Sequence, residues 1–157
     1  MHAPVLVLAV GNPSRGDDAL GPMLAERLER AALPGVEVIV DFQLQVEHSL
    51  ELEQRRLVVF VDAAVNGAAP FELRSVRPLR DASHTTHALS PAAVLETYAR
   101  VTGNEPPAAL ALAVRGSSFG LGEELSAEAR HSLESAWQEL LRVVTTGEGS
   151  GRGRSAS

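Results

Sequence analysis

Four of the five aspartates in the chain, Asp17, Asp18, Asp41 and Asp62, stand at or just past the carboxyl ends of three runs of strand length. In a parallel sheet those ends share one edge, where open α/β folds bind ligands, so carboxylates distant in sequence can meet there. Carboxylates held close repel and raise each other's pKa, a cost that a divalent cation or a shared proton removes. Asp also caps helices and forms turns, so any one of the four has an ordinary explanation; two or three at one edge point to chemistry. His87, three residues before Ser90, adds an imidazole, and imidazole with two carboxylates suits nickel, zinc or iron. His84 is the rival ligand in the same polar loop, and a solvated or capping role is the ordinary alternative for both. His48 and His131 fall in expected helices and read as structural, while His2 is terminal.

The loop carrying the first two carboxylates, GNPSRGDDALGP (Gly11 to Pro22), follows the first strand-like run and lacks the spacing of a phosphate cradle, GxGxxG or GxxxxGK(S/T). Its glycines, Gly11, Gly16 and Gly21, are five apart, and Asp17 and Asp18 would repel phosphates. A nucleotide-binding module remains as an alternative because Asp41 ends the second strand near where a dinucleotide fold keeps its ribose-binding acid. A second alternative is a serine hydrolase, since Gly116, Ser118 and Gly120 spell GxSxG in GSSFG after an expected strand. Against it, no helix follows at once and no aspartate follows Ser118. A non-catalytic scaffold that only binds a partner is the third. After the second strand, Gln43 and Gln45 could hold a peptide backbone through their amides, or belong to an exposed loop and first helical turn.

The elements that must position these groups alternate between strand and helix. Unbroken apolar runs at Pro4 to Val10, Val36 to Val40, Leu57 to Val61 and Ala108 to Val114 read as parallel strands covered on both faces. Phe71 to Val76 alternates and carries an arginine, which predicts an edge strand, antiparallel to its neighbour. Helical periods place Leu20, Leu24 and Leu28 on one face, Val94, Leu95, Tyr98 and Val101 on another behind a Ser90 cap and Pro91, and Leu133, Trp137, Leu140 and Val144 on a last helix from about Ser126. The expectation is an α/β fold: a three-layer, twisted, mostly parallel five-stranded sheet flanked by helices. A single domain over residues 1–146 would precede a disordered Gly/Ser/Arg tail, 147–157.

Composition removes whole classes of function. The chain has no cysteine and no lysine, all fourteen basic residues being arginine, which excludes disulfides, thiolate metal sites, cysteine nucleophiles, Schiff-base lysines and the P-loop lysine. A net charge of -6 and 4% aromatic content argue against nucleic acid. The first apolar run is too short to span a bilayer and has no basic segment before it; a soluble, cytoplasmic monomer is expected.

Taken in order, GNxxxxDDxxGP, DFQLQVEHSLEL, VVFVDA and SHTTHALSPAAVL resemble the [NiFe]-hydrogenase maturation endopeptidases, in particular the branch serving soluble hydrogenases, from about Val5 to Val144. The resemblance implies a cytoplasmic endopeptidase that removes a carboxy-terminal extension from the hydrogenase large-subunit precursor once nickel has been inserted. It implies nickel ligation, with the metal supplied by the precursor, by residues at the positions of Asp18, Asp62 and His87. Many members of that family carry glutamate at the first position, so Asp18 is a shorter arm and Asp17 stays open as a contributor. With no cysteine or lysine, a carboxylate and histidine metal site is the best remaining means of polarising a peptide carbonyl.

Overall fold

The computed structural model describes residues 2–80 and 89–147. Five strands, β1 (Val5–Val10), β2 (Val36–Asp41), β3 (Leu57–Ala64), β4 (Phe71–Ser75) and β5 (Ala108–Arg115), form one sheet in the order β2-β1-β3-β5-β4. The first four in that order are parallel, and β4 runs antiparallel to β5. The arginine-bearing segment is therefore the antiparallel edge strand its alternation predicts.

Helix α1 (Leu20–Ala31) and α3 (Ala127–Thr146) cover one face of the sheet, and α2 (Pro91–Thr102) with a short 3-10 helix, Val46–Leu52, covers the other. The period of two along a strand makes this possible. In β1, Val5, Val7 and Ala9 join the α1 and α3 core, whereas Leu6, Leu8 and Val10 join the α2 core. All six are buried, as an unalternating run in a covered strand requires. In β5 the two faces differ: Leu110, Leu112 and Val114 enter the first core, while the opposite face carries Ala109, Ala111 and Ala113.

Both expected caps form, Ser90 accepting the Ala93 N–H at 3.1 Å ahead of Pro91, and Ser126 accepting that of Ala129 at 3.0 Å. Two sequence expectations need correction. β2 lies on an edge and is only half covered, with Val40 43% exposed, because β1 takes the neighbouring position toward β3 and, among the described residues, none pairs with the outer side of β2. Val101 in the last turn of α2 is 62% exposed, the buried face of the helix ending at Tyr98. The expected tail beyond Gly147 lies outside the described residues.

Candidate functional site

Four parallel strands bring their carboxyl ends together, and three of these ends carry the aspartates: Asp17 and Asp18 on the loop after β1, Asp41 as the last residue of β2 and Asp62 near the end of β3. After β1 the chain makes a short 3-10 helix, Gly16–Ala19, before α1. Two glycines let it pack this tightly. Gly16 sits at φ +56, and a side chain there would strike the carbonyl of Ser118; one at Gly21 would strike the carbonyl of Val10. These glycines join backbone to backbone and are not arranged around a ligand.

Asp17 and Asp18 face opposite ways. Asp17 is fully buried, and its carboxylate accepts the N–H groups of Ser117 (2.7 Å), Ser118 (3.0 Å) and Ser126 (2.8 Å) and the Ser126 hydroxyl (2.6 Å). Burial works to raise its pKa, but the four donors together outweigh it and hold the carboxyl below the ordinary value. Asp17 thus ties the first loop to the loop that starts α3. Asp18, partly open, accepts only the Asn12 N–H, at 2.7 Å, and lines the cleft on the α2 face of the sheet.

Asp62, near the end of β3, lines the same cleft. Part of its surface is open to water, yet the group stands in a concavity whose walls are largely apolar, and this desolvation pushes its pKa up to about 6. The Ala63 N–H, donating at 2.7 Å, pulls the other way, and the charge of Asp18 adds to the rise. Asp18 and Asp62 therefore line one cleft, close enough for the charge of Asp18 to act on Asp62.

Asp41 does not join them. Its carboxylate accepts the Phe42 N–H at 2.7 Å and lies 3.3 Å from Nε2 of buried His48. Nδ1 of that imidazole accepts the Gln45 N–H at 2.8 Å, which leaves Nε2 to carry the proton toward Asp41. His48 is structural, as expected, and Gln45 is spent capping the 3-10 helix, whereas Gln43 lines the cleft. His131 lies on α3, exposed. His87 and its rival His84 lie outside the described residues. Among the described residues, no three His, Asp or Glu side chains are grouped to hold a metal.

The cleft encloses about 400 Å³, with Phe42, Leu44, Phe60 and Leu89 among its apolar lining and, among the described residues, Asp18, Asp62 and Arg74 as its charged groups. Arg74 was visible in sequence only as the mark of an edge strand. Ser118 is not built as a nucleophile: its hydroxyl donates to exposed Glu123, its carbonyl accepts the Asp17 N–H, and no helix begins before Ala127.

Several solved structures with this architecture are described as hydrogenase maturation proteases. A [NiFe] hydrogenase maturation protease from Thermococcus kodakarensis superposes with a TM-score of 0.69 at 25% identity, over 91% of this chain and 93% of the other. A hydrogenase maturating endopeptidase from Escherichia coli gives 0.71 at 24% identity over 94% of each chain, a likeness of fold. In sequence, the hydrogenase 3 maturation protease of Escherichia coli is 39% identical over 77 residues. The curated protein this chain matches in sequence is thus a hydrogenase maturation protease. The aligned stretch is 46% of this chain and spans about half the length of that relative, 48%. No family model matches the chain. Among the described residues, no helix is long and apolar enough to cross a membrane.

Proposed function

We propose that the protein is a hydrogenase maturation endopeptidase that removes the carboxy-terminal extension of a [NiFe]-hydrogenase large-subunit precursor after nickel insertion, reading the precursor's nickel through Asp18, Asp62 and His87. The observation that carries this reading is the pair Asp18 and Asp62 facing one cleft, in a chain similar in sequence and fold to maturation proteases. On this reading the protein works in the cytoplasm as a monomer, and the metal arrives with the substrate.

The donor set fits such a cation. Two carboxylates open to a cleft offer oxygen ligands, and His87, by its place in the sequence, offers nitrogen. A carboxyl with a pKa of about 6 is mostly ionised at neutral pH and so free to take a cation, and the cation removes both the desolvation cost and the like-charge cost that Asp18 adds. When bound, nickel polarises a carbonyl and acidifies a bound water. The apolar walls exclude bulk water around the substrate chain, and Gln43 can hold its backbone by accepting and donating hydrogen bonds.

Incubating the purified protein with its genomically paired large-subunit precursor, with and without nickel, and measuring intact mass tests this. Loss of mass only with nickel is the expected result. Loss without nickel would sink the metal-reading mechanism, and no loss in either case would sink the peptidase.

A further inference from the structure

The cleft is polar in charge along its length. Asp62 pairs in register with Ala113 of β5, and Arg74 of β4 with Ala111, so Arg74 stands two strands across and two residues back from Asp62. By ordinary sheet spacings that is roughly 12 Å between their Cα atoms, the span of about three to four residues of extended chain. Alanine keeps the floor between them low. β5 turns its Leu and Val side chains to the opposite core and leaves only Ala111 and Ala113 on this side, so a trench remains between Phe60 and β4.

Among the described residues, Arg74 is the single cation lining the cleft and has no ion pair or hydrogen bond. Arg115 on the adjoining strand is, by contrast, tied to the Gly67 carbonyl at 2.7 Å. Glu72, at the Ala113 register on the same face, sets its carboxylate against Gly67 and is not among the residues lining the cleft, so the guanidinium of Arg74 at one end and the carboxylates of Asp18 and Asp62 at the other orient a chain laid between them: its anionic group is repelled from the acids and paired by the fork of Arg74.

We infer that Arg74 is a specificity-determining residue that binds a carboxylate of the substrate peptide, three to four residues from the bond held at Asp18 and Asp62. This rests on the peptidase reading for the identity of the bound chain. The carboxylate is either an acidic side chain or the chain's own terminus; both offer the same planar acceptor pair.

The test uses the full-length protein, wild type and Arg74→Glu, with fluorescent synthetic peptides matching the carboxy-terminal segment of the paired precursor. Three forms are compared: native, acidic side chains replaced by their amides, and terminal carboxylate amidated. Anisotropy gives affinity, and processing of the nickel-loaded precursor gives KM and kcat. The expected result is a loss of at least about tenfold in affinity for the native peptide in Arg74→Glu, mirrored in KM more than in kcat and partly restored by Arg74→Lys. One modified peptide should show the same loss with wild type and no further loss with the variant, which names the source of the carboxylate. Equal affinity of wild type and Arg74→Glu for all three peptides, or no binding by wild type, overturns the assignment. Arg74-dependent binding without processing by wild type keeps the anion site and sinks the peptidase.

Discussion

Asp17 and Asp18 are neighbours in sequence and opposites in environment. On one side of the first loop Asp17 is closed off from water and saturated by four donors from Ser117, Ser118 and Ser126. On the other side Asp18 accepts one backbone N–H and otherwise faces Asp62 across an open cleft. The closed side holds its carboxyl below the ordinary pKa, and the open side lets that of Asp62 rise to about 6. Saturation makes a carboxylate a structural joint; a carboxylate left short of donors and near a like charge is disposed to take a cation or a proton.

The largest expected effect comes from breaking the closed side. Asp17→Ala strands three N–H groups and a hydroxyl, and should destabilise the protein by about 3 kcal/mol or more, seen as a fall in Tm of roughly 10 °C. A melting curve that stays within a few degrees of wild type would erase the contrast between the two sides.

On the open side the order reverses. Asp62→Asn should abolish processing of nickel-loaded precursor, by more than about 100-fold, with the fold intact. Its effect on stability should also depend on pH. The folded pKa of Asp62, about 6, lies above its ordinary value of 3.8, so the native state holds the proton more tightly and loses stability as pH rises through that window. Asp62→Asn removes this loss: in thermal melts it should be more stable than wild type at about pH 7.5, and the gain should vanish near pH 4. A gain of the same size at both would show that the carboxyl is not strained by its surroundings. Asp17, with its pKa lowered from 3.8, has the opposite sign, its stabilisation being lost as pH falls below that value.

The smallest effect should come from Ser118→Ala. Its hydroxyl serves Glu123 at the surface and its role at Asp17 is through the backbone, so processing should stay within about twofold and stability within about 1 kcal/mol. Total loss of activity would instead revive the serine hydrolase.

Much of the fold was legible because the signals are local. The unalternating runs of β1 and β3, the alternation of Phe71 to Ser75 and the Ser90 and Ser126 caps each follow from side chains a few residues apart. The exposure of β2 was not legible, because a run such as Val36 to Val40 reads the same at a half-covered edge as at a covered centre. Of the four aspartates gathered at one edge, sequence could not tell that Asp41 is taken by His48 or that Asp17 turns away, since the partners that decide each lie on other elements.

What the sequence by itself determined is the inventory and its approximate place: no thiol or lysine chemistry, a parallel sheet, and carboxylates at the ends of its strands. Only the tertiary structure decided which of them share a cleft. The orientation of Asp17 comes from Ser117, Ser118 and Ser126, about a hundred residues away. The rise in the pKa of Asp62 comes from apolar walls and from Asp18 on another strand's loop. Burial, hydrogen-bond supply and charge proximity act through space, and adjacent residues such as Asp17 and Asp18 can fall on opposite sides of a wall that no local pattern draws.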